Sequence, residues 1–507
     1  MNTSSSIQDR THKLLCELLS LFSQFNCPDA YITSLKSSIN ELSKPCRLAI
    51  TGRVKAGKST LINVLLGGDY AKVGVSETTA TINIFEYGVP ETPDKSILCK
   101  FISGEEKWVS KQELDDLQGN SDFVINKISE IESLTYYLDD NRLKDVTLID
   151  TPGIDAVVGK NGDAHQEQTE LYLGLRNRHK EQTIELSNNA DAVVLLLGEV
   201  TYEGDVDFID SFLNKRGTNS SINTIGVLSQ IDLSDERIEN RIKKSKERYN
   251  RLSKYVNCVV PISAGLKYYL PSQKDCEVIK NVLSRIPSKE LLSSIVLRSP
   301  QSYFSEVLPG IEITLDDRKR IYPQGMPFRC FSVIAKLLYE NEITDAINKI
   351  NEISGIDYLM EILDSYFFKR SRQIKAESSI QRALLIVWDY LNCNNNTFTL
   401  NSDFSINDIA DRIRNCQIQL EQLYQESGNI NKYFQCLLLL LENKSLFTED
   451  EFIELKSLFS NANVSFDEKR LNYWFGQSNI LMNEIKRYIA KQAYCKYTDI
   501  ASFSISN

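Results

Sequence analysis

The run Gly52-Arg53-Val54-Lys55-Ala56-Gly57-Lys58-Ser59 constrains this chain more than any other stretch. Its spacing is GxxxxGK[ST], a loop whose backbone amides can close around a phosphate because its glycines carry no Cβ to clash. Such a loop works only between a strand and a helix. Leu48-Ala49-Ile50 ahead of it reads as a buried strand, and Thr60 to Leu66 behind it as a helix with one apolar face. The expectation is a nucleotide cradled by Gly52 to Ser59 and Thr60, with Lys58 on the β- and γ-phosphates and Ser59 on Mg2+.

The surroundings extend that expectation to a fold class. From about residue 46 to 275, apolar runs at Thr81–Tyr87, Ser96–Ile102, Val146–Ile149, Ala192–Leu197, Ile222–Leu228 and Cys258–Ile262 alternate with helical patterns. That alternation predicts an α/β domain with a mostly parallel sheet. Before it, Ile7–Phe25 and Pro28–Leu42 read as amphipathic helices. After it, strand signals fade, and a long helical pattern runs from Ile356 to Leu391. Pro309 to Pro327 reads as a loop, and Thr448–Glu451 and Ser465–Glu468 read as capping boxes. The expected division is 1–45 (helices joining an all-α bundle), 46–275 (the α/β domain) and 276–507 (the bundle or stalk).

Three further motifs follow the phosphate loop in order. Asp150-Thr151-Pro152-Gly153 ends an apolar strand, where Asp150 can hold Mg2+ through water and the Gly153 amide can sense a γ-phosphate. Ser229-Gln230-Ile231-Asp232 ends another, where the Asp232 carboxylate can accept from guanine N1–H and N2–H, groups adenine does not offer. The expected form is [NT]KxD, and Gln230 stands in for the lysine. Ser263-Ala264-Gly265 fits a loop whose amide bonds guanine O6. Between the first two motifs, Val73 to Thr81 offers Thr79, or next Thr78, as a second hydroxyl for Mg2+. Lys55 is the candidate for a cis-acting charge on the transferring phosphate, in the manner of an arginine finger.

Composition excludes several alternatives. The formal net charge of -10 argues against general nucleic-acid binding. Three histidines leave little room for a histidine metal cluster, and eleven cysteines without a CxxC pair fit reduced thiols in a cytoplasmic protein. No apolar run nears the roughly 18 residues of a membrane span, so any membrane role is expected to be peripheral, at the inner face. Two patches are candidates for it: the basic run from Arg241 to Lys254, and Phe367-Phe368-Lys369-Arg370 with Arg372 and Lys375.

The motif set Gly52–Ser59, Thr79, Asp150–Gly153 and Asp232, with helices on both sides of it, resembles the dynamin superfamily of large GTPases, specifically bacterial dynamin-like proteins. The resemblance spans about residues 46 to 270 and extends to the helices only by layout. It implies GTP hydrolysis, dimerisation across the GTPase domains or hetero-pairing with a related GTPase, and movement of the bundle, often at a membrane. Ile154 stands where Ras-type GTPases carry a water-orienting Gln, and Lys55 where the family commonly has Ser. The competing expectations are a regulatory GTPase without membrane remodelling, a nucleotide-binding scaffold that hydrolyses slowly, and an ATP-using phosphate-loop protein, against which Asp232 stands.

Overall fold

The structure is a computed structural model. It describes residues 6–25, 27–52, 56–71, 82–90, 95–117, 131–151, 190–198, 223–229, 243, 247, 250, 252–253, 256–304, 311–393, 406–428, 430–460, 464–479 and 483–505.

Nine strands among these form one mixed sheet: β1 (Cys46–Gly52), β2 (Ile82–Tyr87), β3 (Ile97–Phe101), β4 (Glu106–Val109), β5 (Ile131–Leu138), β6 (Val146–Asp150), β7 (Ala192–Leu197), β8 (Thr224–Leu228) and β9 (Val259–Pro261). Their order is β4-β3-β5-β2-β6-β1-β7-β8-β9. The half from β6 to β9 is parallel throughout. β2 runs antiparallel to β6, and β3 antiparallel to both β4 and β5. The central strands are apolar without alternation because both faces are covered. In β7, Ala192, Val194 and Leu196 enter one core, and Val193, Leu195 and Leu197 enter another behind it with Leu252 and Val256.

The six strands expected from sequence are all present, with ends moved by one or two residues. β4 and β5 are additions. Only Val109 of β4 is buried, so this edge strand carries almost no apolar signal. β5 buries Ile131, Ser133, Leu134 and Tyr136, and its alternation is broken where the adjacent Ser133 and Leu134 are both inside.

The helices are α1 (Ile7–Gln24), α2 (Asp29–Leu42), α3 (Lys58–Leu66), α4 (Lys111–Leu117), α5 (Ala264–Tyr268), α6 (Gln273–Leu283), α7 (Pro300–Phe304), α8 (Leu315–Ile321), α9 (Phe328–Glu340), α10 (Ile343–Ser354), α11 (Ile356–Leu363), α12 (Ser371–Cys393), α13 (Ile406–Gly428), α14 (Ile430–Glu442), α15 (Glu449–Ser460), α16 (Glu468–Asn479) and α17 (Glu484–Ile505). They sort into three packed groups. α1 and α2 share a core with α12 and α13, built from Leu15, Leu18, Phe22, Leu35, Ile380, Val387 and Ile413. Helices α5 to α10 enclose a second core around Tyr303, Phe331 and Ile334. α11 and α14 to α17 continue the core of the sheet itself, through Tyr366, Phe434, Phe459 and Trp474.

Three expectations are corrected here. The long pattern from Ile356 to Leu391 is not one helix: a π turn over Asp364–Phe368 separates α11 from α12, with the Lys369 amide reaching back to Asp364 O at 3.1 Å. The loop-like stretch around Pro309–Pro327 holds α8, because Thr314 and Asp317 form a capping box that outweighs the flanking prolines. At α16 the cap is Asp467, whose Oδ1 accepts from the amides of Lys469 and Arg470 at 2.9 and 3.2 Å, in place of Ser465. The Thr448–Glu451 box is as expected, with reciprocal bonds of 2.9 and 3.3 Å.

Candidate nucleotide site

The phosphate loop owes its place to β1. Gly52 ends that strand opposite Leu196 of β7, and a Cβ on it would sit 2.7 Å from Leu196 O. No other residue fits that approach. Gly57 (φ +88°) then turns the chain into α3, whose first residue is Lys58. Gly67, also left-handed, ends α3. The Asn63 side chain folds the exit back: its Oδ1 accepts from the amides of Tyr70 and Ala71, and its Nδ2 donates to Ala71 O at 2.7 Å.

Lys58 is buried, and its Nζ donates to Gly52 O at 3.0 Å. Burial brings its pKa down to about 8, against the pull of Asp150. Asp150 ends β6, paired in register with Ile50 of β1 and Asn83 of β2. Burial raises its carboxyl to about 6, opposed by Lys58 and by the Asn83 Nδ2 hydrogen bond at 3.4 Å. Its Oδ1 is buried with no hydrogen-bond partner among the described residues. Thr151 locks the strand end through its amide and hydroxyl, both donating to Ile50 O at 3.2 and 3.1 Å.

The two base-side loops leave the same edge of the sheet. Ser229 follows β8, with amide and hydroxyl donating to Leu197 O at 3.0 and 3.2 Å. Ser263 follows β9, and its hydroxyl accepts from the Leu266 amide at 3.4 Å as α5 begins at Ala264. Gly52, Asp150, Ser229 and Ser263 thus all lie where parallel strands end. In open α/β sheets that edge is where ligands bind.

Gly52, Ala56, Gly57, Lys58, Ser59, Thr60, Asp150, Ser229, Ser263 and Ala264 belong to this assembly. Arg53, Val54, Lys55, Thr79, Gly153, Gln230 and Asp232 lie outside the described residues, as do Thr78 and Ile154. Sequence reasoning passed over Asn83, whose only signal is a lone amide between Ile82 and Ile84, and Asn63, a buried polar residue inside an apolar helix.

A magnesium ion suits the donors present. A buried carboxylate oxygen without a partner is the kind of atom that a hard cation or its water satisfies, and Mg2+ is commonly held by one or two protein oxygens together with phosphates. Asp150 supplies that oxygen, and Ser59 opens α3 one residue past Lys58.

Of the two sequence patches considered for a membrane, the second is largely internal. Phe367, Arg370 and Lys375 are buried. Lys375 Nζ meets Asp191 Oδ2 at 2.7 Å. Only residues 243, 247, 250, 252 and 253 of the Arg241–Lys254 region are described. Among the described residues no helix is long and apolar enough to cross a membrane.

Residues 48–231 match the sequence profile of the dynamin family. Dynamin-like protein 2 of Campylobacter jejuni is 22% identical over 517 residues, covering 97% of this chain and 73% of that protein. A protein of the xynA 3′ region in Caldicellulosiruptor sp. is 25% identical over 297 residues, covering 55% of this chain and 70% of its own. A solved structure of an oligomerised bacterial dynamin pair aligns over all of this chain and 92% of its own, at 14% identity and a TM-score of 0.35. With a phosphate loop and a carboxylate brought together at the edge of such a sheet, residues 48–231 form a dynamin-family domain, in a chain similar over nearly its whole length to a bacterial dynamin-like protein.

Proposed function

We infer that this chain binds GTP with Mg2+, hydrolyses it, and couples the nucleotide state to dimerisation and to movement of its helices. The observation that carries the reading is the buried Asp150 carboxylate, one oxygen unpartnered, sharing the sheet edge with a buried Lys58. A buried carboxylate oxygen with no partner among the described residues is costly unless a cation or its water satisfies it.

In this reading Lys58 holds the β- and γ-phosphates, Asp150, Ser59 and Thr79 hold the metal, and the amides of Gly52 to Thr60 wrap the phosphates. The metal, when bound, offsets charge on the phosphate oxygens. Gly153 senses the γ-phosphate. Ser229, Gln230, Asp232, Ser263 and Ala264 take the base. Lys55 supplies positive charge to the transferring phosphoryl group, a role for which Ile154 offers nothing. The division at residues 45 and 275 belongs to the same proposal, supported by the core that α1 and α2 share with α12 and α13. Dimerisation through the GTPase domains, or pairing with a related GTPase, is supported by the resemblance to bacterial dynamin-like proteins alone. Peripheral lipid contact finds no support in the Phe367–Lys375 patch, where Phe367, Arg370 and Lys375 are buried and the exposed Lys369 and Arg372 pair with Asp364 and Asp145.

Titration calorimetry with Mg2+ tests the reading. Guanosine di- and triphosphate are expected to bind, and adenosine nucleotides to bind far more weakly. Phosphate release is expected to fall by about a hundredfold or more in Lys55→Ala with GTP affinity retained, on the scale of charge-supplying residues in phosphoryl transfer. Absence of guanine-nucleotide heat sinks it.

A further inference from the structure

The strand that leads into the base loop is short and lies at the margin of the sheet. β9 has three residues and, among the described residues, pairs with β8 alone. Such a strand does not hold a loop rigidly by itself. Its two ends are instead held by the helical part of the chain.

At the exit, the Ser263 amide donates to Ser354 O at 2.8 Å, across ninety residues of sequence, while the neighbouring Ile262 amide donates to Leu228 O of the sheet. Gly355, the turn between α10 and α11, has φ +66°, and a Cβ there would lie 2.4 Å from Pro261 O. The α10–α11 elbow is therefore pressed directly on the last residue of β9. Lys267 of α5 ties the loop to both sides of that elbow, reaching Asn351 Oδ1 at 2.8 Å and Asp357 Oδ1 at 3.3 Å. At the entry, Asn257 Nδ2 meets Tyr366 Oη of the π turn at 3.3 Å, and Asn257 O accepts from Gln435 Nε2 of α14 at 3.0 Å.

We propose that Gly355 is a positioning residue for base recognition: the α10–α11 elbow sets the placement of residues 263–265 and thereby the contact with the O6 oxygen of guanine. This rests on the GTP reading above and extends it. Recognition of the base is then thermodynamically linked to the arrangement of α10, α11, the π turn and α14, and the linkage acts in both directions. With the Ser263 amide held by Ser354, the loop enters α5 in one orientation. A side chain at Gly355 displaces Pro261 and turns that orientation away from the base while leaving the phosphate loop, at β1, untouched.

The experiment compares the dissociation constants of GDP and of 2-aminopurine riboside 5′-diphosphate, which lacks O6 and the N1–H assigned to Asp232 but keeps the 2-amino group, for the full chain and for Gly355→Ala. The change in their ratio on substitution reports the O6 side, because Asp232 is untouched. Wild type is expected to prefer GDP. In Gly355→Ala the GDP affinity is expected to drop about tenfold, the order of one lost hydrogen bond to a buried partner, with the 2-aminopurine diphosphate changed less than about twofold. General loosening of the fold moves both nucleotides together, and that result, or a preference for GDP that the substitution leaves undiminished, overturns the inference while leaving the GTP reading intact. Wild type binding both diphosphates equally overturns the guanine assignment and this inference with it. Should Gly355→Ala not fold, Lys267→Ala removes only a half-buried cross-link. A reduced GDP preference there supports the inference, and an unchanged one overturns it.

Discussion

Single residues at this site are shaped by a conflict between stability and binding. Asp150 sits where burial pushes its carboxyl from 3.8 up to about 6, and where one oxygen has no partner. Near neutrality the nucleotide-free protein therefore carries a charged group at a place that disfavours it. Asp150→Asn is expected to raise the stability of the nucleotide-free protein by about 3 kcal/mol, the order set by such a shift at 1.36 kcal/mol per unit, and to remove the Mg2+ dependence of nucleotide affinity. Thermal denaturation with and without Mg·GDP checks both halves. A less stable variant contradicts the account of the site. The same residue shows what the sequence makes legible. Asp150, Lys58 and Gly52 announce themselves because phosphate chemistry allows few residue types at fixed spacing. Asn83 does not, since its partner is set by strand pairing between β2 and β6, which runs antiparallel in an otherwise parallel neighbourhood.

At the scale of elements, the π turn and α12 are where the sequence was least readable. Hydrophobic periodicity continues through Leu359, Leu363, Phe367 and Ile374, so nothing in the spacing marks the extra residue per turn at Asp364–Phe368. What marks it in the structure is the polar content just beyond. Arg370 and Glu377 are both buried, and neither Glu377 carboxylate oxygen has a hydrogen-bond partner among the described residues. Burial raises the Glu377 carboxyl to about 7, only partly offset by Arg370. Tyr366, Tyr424 and Lys496 are the other ionisable groups coupled to this pair. A carboxyl whose folded pKa exceeds its unfolded value of 4.5 contributes stability that is present below pH 4.5 and lost as pH rises through about 7. Lys496, depressed to about 7 by burial, has its own effect above that window, where stability grows with pH. Glu377→Gln is thus expected to gain little at pH 5 and several degrees in melting temperature at pH 7.5, as read by calorimetry across that range. A gain that does not depend on pH would show that Glu377 does not titrate there. The strands tell the opposite story. β6, β7 and β8 are legible because strands covered on two faces are mostly apolar with no alternation, whereas β4, with only Val109 inside, is not.

For the molecule as a whole, one joint between sheet and helices is an ionic cluster. Asp191, just ahead of β7, accepts from the Arg47 amide of β1 at 2.9 Å and from Lys375 Nζ of α12 at 2.7 Å. Arg382 stands 3.8 Å from its other oxygen, and Glu41 at the end of α2 lies 3.8 Å from Lys375 and 3.3 Å from Arg47. Lys375 and Asp191 are 2% and 0% exposed, so neither has water to fall back on. Lys375→Met is expected to cost about 3–5 kcal/mol by stranding the carboxylate, and Asp191→Asn in the same chain to recover much of it. A double-mutant cycle by urea denaturation measures the coupling, and additive losses would mean the two side chains do not act as a pair. The clamp on β9 has a further consequence, for the newborn chain. Asn257 and Gln435 are 178 residues apart. At about 5–20 residues per second a ribosome needs roughly ten to thirty-five seconds to travel that far. For the first part of that interval, until Gly355 and Tyr366 have emerged, this marginal strand of the sheet is uncovered and open to wrong neighbours, so a chaperone that shields it during translation would raise the yield of native protein.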